Sequence, residues 1–217
     1  MKANLKNLSR TAVLFAAVTA LAWSIGHSSA FATDPENPYW PCVQRKVPHI
    51  SAGMMWGGPL VDESDRSWRK DGEVRDLVQT LSSRRVPIEE AQERIDGYAN
   101  TLSDGKQTKL TVLFTGLLSH TNAERSDIIA GIEKFARRQI ALAKRIKETA
   151  AEANKLQSKS DATVEELKRA QELDEQLLWD TRVFDEREQS LTYVCEVPVL
   201  LEQRLFALAR QLATHLE

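Results

Sequence analysis

Two stretches of the 217-residue sequence decide the fold. Residues 121–156 read TNAERSDIIAGIEKFARRQIALAKRIKETAAEANKL, and residues 163–195 read TVEELKRAQELDEQLLWDTRVFDEREQSLTYVC. In each stretch, mostly apolar residues recur at alternating steps of four and three, which is the spacing of a coiled-coil seam. The positions in the first stretch are Ile128, Ile132, Phe135, Gln139, Leu142, Ile146, Thr149, Ala153 and Leu156. Those in the second are Ala170, Leu173, Leu177, Asp180, Phe184, Arg187, Leu191 and Val194.

The short polar connection between the two stretches predicts that they fold back on each other. Residues 158–161 are Ser-Lys-Ser-Asp, which favour a turn between two helices. An antiparallel helical hairpin is therefore predicted. Matching the apolar positions sets Phe135 opposite Phe184. The same register sets Leu142 opposite Leu177, so both pairs are expected to be in contact.

Charge also favours pairing within one chain. Residues 122–158 carry eight Lys/Arg and five Asp/Glu, a net charge of +3, whereas residues 161–196 carry four and eleven, a net charge of −7. Opposite charges on the two helices favour their association over self-association of either one. The predicted register also places Gln139 against Asp180, a polar layer that can fix register at some cost in stability.

Shorter helices are expected around the hairpin. Periodic apolar positions predict one helix near residues 74–81, a second beginning after Pro87, and a third over residues 106–119. The run Leu-Thr-Val-Leu-Phe at 110–114 is also compatible with a strand, but helix is preferred because the sequence offers no convincing partner strand. The predicted fold is all-α, a helical bundle built on a long, coiled-coil-like antiparallel hairpin.

Boundary signals divide the chain. Capping-box patterns begin at Thr121 and at Thr163, and Pro198 is expected to kink or restart the second long helix. We predict an extended Pro/Gly-rich segment over residues 33–68 and a helical domain over residues 69–217. Within that domain the hairpin spans 121–196 and a C-terminal helix spans 199–216.

The N-terminus is typical of a secretory signal peptide. Three basic residues precede an apolar run over residues 11–25, and an A-x-A site follows at Ala30-Phe31-Ala32. Residues 1–32 are therefore expected to be removed after Ala32, and an uncleaved membrane anchor is the alternative. The predicted localisation is periplasmic or secreted.

The mature chain would be acidic. Residues 1–32 contain three Lys/Arg and no Asp/Glu, so 26 basic and 31 acidic side chains remain from the 29 and 31 of the whole chain. A net charge near −5 disfavours nucleic acid and anionic lipid as main partners. No later stretch is long and apolar enough to cross a bilayer, so no transmembrane segment is expected after cleavage. The complementary helices make a monomer as plausible as a homodimer.

Cys42 and Cys195 are the two cysteines of the sequence. An exported chain meets an oxidising compartment, so a disulfide between them is expected. It would attach the N-terminal segment to the base of the hairpin, remote from its turn. A redox pair or metal ligands are the alternatives, although neither cysteine lies in a C-x-x-C motif.

The Pro/Gly-rich segment carries aromatic, methionine and basic side chains that give it two possible roles. They either fill grooves of the helical body or form a partner-binding strap held by the prolines and the disulfide. The candidate partner-binding residues are Tyr39, Trp40, Arg45, Lys46, Met54, Met55 and Trp56.

Recognisable catalytic chemistry is absent from the sequence. It contains no G-x-G-x-x-G, P-loop, G-x-S-x-G or H-E-x-x-H motif, so no catalytic residue and no cofactor is predicted. The preferred hypothesis is an exported, non-enzymatic scaffold or adaptor that binds another protein of the cell envelope through the hairpin flank or the N-terminal segment. One alternative is a copper-handling protein, since His49, Met54 and Met55 near Cys42 offer soft ligands. The other is an enzyme with an unrecognised site.

Overall fold

The structure, a computed structural model, describes residues 37–216. The predicted signal peptide and its cleavage site lie outside these residues. The described chain is helical with irregular connections and contains no strand, which confirms the all-α prediction. Its elements are α1 (Ala52–Met55), a 3₁₀ turn (Ser67–Arg69), α2 (Gly72–Ser82), α3 (Ile88–Thr101), α4 (Lys106–Gln157) and α5 (Val164–Ala213).

The long helices α4 and α5 pack against each other as the predicted antiparallel hairpin. The cap of α5 is the predicted capping box. The Thr163 side chain accepts a hydrogen bond from the Glu166 backbone N–H, and the Glu166 carboxylate accepts one from the Thr163 N–H. These two bonds satisfy donors that a helix N-terminus would otherwise leave unpaired, so they determine where the returning helix begins.

The first long helix begins earlier than predicted. Instead of two helices meeting at Thr121, α4 runs unbroken through 52 residues from Lys106, after Gly105 in the left-handed conformation (φ 67°). The pattern at Thr121–Glu124 therefore lies inside a helix. Neither Gly nor Pro interrupts residues 117–125, and Thr121 and Asn122 are buried against other parts of the protein. Continuous packing keeps the backbone helical where a Ser/Thr cap signal alone suggested a break.

The second long helix also continues where a break was predicted. Pro198 lies inside α5, and no separate helix 199–216 exists. Proline cannot donate the usual backbone hydrogen bond, which normally disfavours it in a helix. Here its ring is buried, and the Arg125 Nε–H donates to the Pro198 carbonyl at 3.3 Å. Tertiary packing of this turn outweighs the local penalty.

The predicted register of the hairpin is wrong by about one helical turn. Gln139 was expected to face Asp180, but its side-chain amide donates to the Phe184 carbonyl at 3.1 Å. Phe184 lies four positions further along α5. Phe135 and Leu142 are therefore displaced by about one turn from their predicted partners.

An ion pair between a buried carboxylate and an exposed arginine supplies the physical reason for the shift. Arg145 donates two hydrogen bonds to the carboxylate of Asp180, at 2.8 and 2.6 Å. Asp180 is buried in the helix interface and requires such a partner. A one-turn shift exchanges one class of seam position for the other, so periodicity alone cannot distinguish the two registers. The need of the buried Asp180 carboxylate for a bidentate arginine partner distinguishes them.

The apolar core lies at one end of the hairpin. Around it pack α2, α3, the first turns of α4, the last turns of α5 and parts of the N-terminal segment, which we together call the head. The side chains with least exposure include Phe114, Leu117, Ile95, Leu81, Leu205, Leu208 and Leu212. The rest of the hairpin, residues 125–198, is called the arm, and its buried seam is only two helices wide.

A pair of glycines in α4 tests this packing. A Cβ added at Gly116 would lie 2.6 Å from Val78 Cγ2 and 3.1 Å from the Trp68 ring, whereas one at Gly131 would meet nothing within 4 Å. Overpacking costs about 1–3 kcal/mol and exceeds the helix-propensity gain of about 1 kcal/mol. We expect Gly116→Ala to lower the free energy of unfolding in urea and Gly131→Ala to raise it by about 0.5–1 kcal/mol. Two changes of the same sign would contradict the close contact at Gly116.

Candidate functional site

The N-terminal segment, residues 37–66, is covalently attached to the base of the arm. Cys42 and Cys195 form the predicted disulfide, with their Cα atoms 5.5 Å apart. Cys195 is buried on the face of α5 that packs toward α4. The bond joins residues 153 positions apart in sequence, so it restricts the unfolded chain strongly.

Next to the disulfide, Trp40 is part of a small apolar cluster. It is 7% exposed and packs against Ile129 and Ile132 of α4. Its indole N–H donates to the Gln44 carbonyl at 2.6 Å, so the polar atom of the ring is satisfied. Tyr39, one residue earlier, is exposed. Trp40 is therefore a structural anchor of the segment.

Polar contacts hold the middle of the segment to α4. The Lys46 ammonium pairs with the Glu133 carboxylate. Further along, the buried side chain of Asn122 binds both backbone groups of Ile50. Its Oδ1 accepts from the Ile50 N–H at 2.9 Å, and its Nδ2 donates to the Ile50 carbonyl at 2.8 Å. One asparagine thus satisfies a buried stretch of irregular backbone that has no secondary-structure partner.

Glu63 closes the segment on itself. Its carboxylate accepts from the Ala52 backbone N–H at 2.6 Å and contacts His49 Nε2 at 2.8 Å. The Ala52 N–H, and then the His49 hydrogen bond, hold the pKa of Glu63 below its ordinary value. The carboxylate is therefore ionised at neutral pH and holds Glu63 against residues 49–52 of the same segment.

Between Ala52 and Glu63 the segment packs into the head. Met55 is buried in the main core, and the Trp56 ring stacks on Phe114 with the centroids 4.3 Å apart and the planes 9° apart. The Trp56 indole N–H donates to the Pro59 carbonyl at 2.8 Å. Met54, in contrast, points to solvent.

These positions divide the candidate partner-binding residues into two groups. Trp40 and Met55 are buried, and Lys46 and Trp56 are partly buried in contacts with the helices. Exposed side chains remain at Tyr39, Arg45 and Met54. Most of the aromatic and sulfur surface of the segment thus fills grooves of the helical body. Partner binding by this set stays a prediction.

A cavity of about 540 Å³ lies between the segment and the base of the arm. Its size is in the usual range of small-molecule sites. Most of its wall is apolar, and the polar part includes two arginines and one glutamate. The residues that line it are Trp40, Gln44, Arg45, Val47, Met54, Met55, Arg125, Ile129, Cys195, Pro198, Val199, Glu202, Gln203 and Phe206.

The soft-ligand set suggested for copper is not assembled as proposed. Cys42 is in the disulfide, His49 is bonded to Glu63, and Met55 is buried in the core. Across residues 37–216, no group of three or more His, Cys, Asp or Glu side chains is placed to hold a metal ion.

Sequence reasoning proposed the hairpin flank as a binding surface but did not identify the residues on the outer face of the arm. Leu178 and Trp179 are 74% and 66% exposed on α5, and Tyr193 is 74% exposed. Trp179 and Tyr193 are 14 residues, about 21 Å, apart along one helix face, opposite the face that contacts α4. The available signal was their position outside the a/d pattern, since large apolar residues off the seam have no partner in a two-helix arm.

No protein-family model, no curated protein and no solved structure matches this chain. Within the described part of the chain, none of the helices has the length and apolar character needed to span a membrane.

The Asn122 contact supports a stability test. Asn122→Ala would leave the Ile50 N–H and carbonyl buried without partners, which costs about 1–3 kcal/mol for each unpaired group. We expect a fall of at least about 2 kcal/mol in the free energy of unfolding and faster hydrogen exchange at the Ile50 amide. Asn154→Ala, at an exposed site of the same helix, is the control and should change stability by less than about 0.5 kcal/mol. Equal effects of the two substitutions would contradict the two hydrogen bonds between Asn122 and Ile50.

The disulfide supports a second test. In a Cys42→Ser/Cys195→Ser variant, the loss of chain restriction should lower stability by up to about 5 kcal/mol. Trp40, packed beside the bond, should become mobile, whereas Trp56 should stay stacked on Phe114. Fluorotryptophan NMR resolves the two rings, and circular dichroism reports the helices. A simultaneous loss of both ring environments and of helicity would show that the bond supports the whole head.

Proposed function

We propose that this protein is an exported, periplasmic adaptor that binds another protein of the cell envelope through the outer face of α5. The observation that carries the proposal is the exposure of Leu178, Trp179 and Tyr193 along the arm. Large side chains of this kind dominate binding energies when a partner buries them. Two long helices holding such a face away from a compact head form a suitable binding element.

Charge indicates the chemistry of the partner. The stretch 161–196 has a net charge of −7, and exposed carboxylates lie within one turn of the apolar side chains. Glu175 precedes Leu178 by three residues, and Glu196 follows Tyr193 by three, so both share the apolar face. A segment that presents apolar residues flanked by Lys or Arg would complement this surface. We therefore propose a basic, amphipathic helix of the partner as its ligand.

The same charge disfavours a second copy of this chain on the face. Two α5 helices placed face to face would bring strongly acidic surfaces together, which is repulsive. The more basic α4 helix is already paired with α5 within one chain, for example through Arg145 of α4 and Asp180 of α5. A monomer that recruits a different protein fits this distribution best.

Two features support the proposed export. The first 32 residues have the pattern of a signal peptide. The disulfide is compatible with an oxidising compartment, where such bonds persist. The N-terminus of the mature protein, determined by mass spectrometry after fractionation, checks cleavage after Ala32.

Site-specific photocross-linking tests the binding face. A photoreactive phenylalanine at Trp179 should cross-link to one envelope protein in the producing cell. The same residue at Ile140, an exposed apolar site on α4, should not. Cross-links of equal yield from both sites, or cross-links to a second copy of this chain, would contradict the proposal.

Substitution then measures the energetic role of the face. With the cross-linked partner purified, Leu178→Ser/Trp179→Ser should weaken binding by about 2 kcal/mol or more, roughly thirtyfold, since a buried tryptophan is a typical binding hot spot. Ile140→Ser is the matched control and should leave the affinity unchanged. All three side chains are exposed, so the variants should keep the helicity of the parent.

A further inference from the structure

A buried arginine in the wall of the 540 Å³ cavity has an incomplete set of partners. Arg125 is 3% exposed, and its Nε–H donates to the Pro198 carbonyl at 3.3 Å. Its Nη2 lies 3.6 Å from a Glu202 carboxylate oxygen, beyond normal hydrogen-bond length. Its Nη1 is buried and has no hydrogen-bond partner among the described residues.

A buried guanidinium with unpaired N–H donors costs free energy unless a further acceptor binds those donors. A guanidinium carries five N–H donors in a planar fork and stays charged at neutral pH. Burial lowers the pKa of Arg125. The negative charge of Glu202 raises it, but burial has the larger effect. Structural arginines are normally paired more fully than this when they are removed from water. Arg125, which lines the cavity, therefore keeps one guanidinium edge without an acceptor in the described part of the chain.

The other residues that line the cavity indicate the chemistry of the rest of a ligand. Trp40, Val47, Ile129 and Phe206 offer apolar and aromatic surface around the arginine. Arg45, exposed at the same cavity, adds a second positive charge against the single carboxylate of Glu202. A cationic ligand would meet two arginines, and a neutral apolar ligand would leave Nη1 unpaired. A carboxylate matches the fork of the guanidinium and supplies the missing acceptor.

We infer that this cavity binds an apolar monocarboxylate, with its carboxylate on Arg125 and its apolar body between Trp40 and Phe206. Two sources share this chemistry, a free aliphatic acid and the C-terminal carboxylate of a peptide that ends in an apolar residue. The site is separate from the outer face of α5, so this inference does not depend on the proposed adaptor function.

The first experiment uses the full mature chain with its disulfide intact. Decanoate is titrated while calorimetry and tryptophan fluorescence are recorded, and decanol and decylamine serve as matched probes without a carboxylate. Saturable binding of decanoate at least about tenfold tighter than either probe is expected, because a charge-assisted pair contributes that much. Equal binding of decanol, or no saturable binding of decanoate, would overturn the inference.

Variants then locate the carboxylate. Arg125→Gln should reduce decanoate affinity at least about tenfold and leave decanol affinity unchanged. If that buried substitution impairs folding, Arg45→Glu provides the test, since Arg45 is exposed. Its charge reversal should weaken decanoate binding and spare decanol. Arg84→Glu, an exposed site that does not line this cavity, is the control and should change neither. Equal effects of Arg45→Glu and Arg84→Glu would contradict the assignment.

A pair of short peptides distinguishes the two sources. They share one sequence that ends in leucine and differ only in a free or amidated C-terminus. Tighter binding of the free acid than of both the amide and decanoate identifies a peptide terminus as the ligand. Decanoate bound tightly while neither peptide binds identifies a free acid. Equal binding of the free-acid and amidated peptides would contradict recognition of the carboxylate.

Discussion

The Cys42–Cys195 bond holds a largely irregular piece of chain against the place where the arm leaves the head. Residues 37–66 contain little regular secondary structure, so their buried backbone groups depend on side chains for hydrogen bonds. Asn122 supplies two of these bonds to Ile50, and Glu63 supplies one to Ala52. The covalent bond keeps these weaker contacts at high effective concentration. The cavity beside Trp40 exists because the segment is held there.

Polar groups set the geometry of the arm. Apolar seams of two helices can slide by one turn and still match, but a buried carboxylate accepts few alternatives. Asp180 finds both hydrogen bonds it needs at Arg145, and this pair fixes α5 relative to α4. Residues outside the seam positions face away from α4 in either register. Trp179 and Tyr193 lie at such positions and are exposed on the outer face, whereas Asp180 is buried.

Sequence patterns predicted the features that depend on composition and period. The heptads predicted the hairpin, and the two cysteines predicted the disulfide. The patterns failed where long-range packing overrides local signals. Helix α4 passes through the cap-like pattern at Thr121, and α5 passes through Pro198, because both sites are buried against other parts of the chain.

The candidate sites were only partly accessible to sequence reasoning. It selected the aromatic segment, but could not separate buried Trp40 from exposed Tyr39, since that depends on which groove of α4 the segment enters. The cavity arginine was invisible for the same reason. Arg125 looks like any charged residue of an amphipathic helix until Pro198 and Glu202, more than 70 residues away in sequence, are placed beside it.

A well-packed head, completed by the disulfide-bound segment, supports a thinner arm that presents its outer face. Native-state hydrogen exchange tests this most directly, because it reports opening free energies along the chain. We expect amides of residues 110–118 and 201–212, together with Ile50, to exchange only through global unfolding. Amides near the arm tip, residues 150–170, should exchange through local opening at lower free energy. Protection of the arm tip equal to that of the head, or rapid exchange at Ile50, would contradict this division into a stable head and a less stable arm.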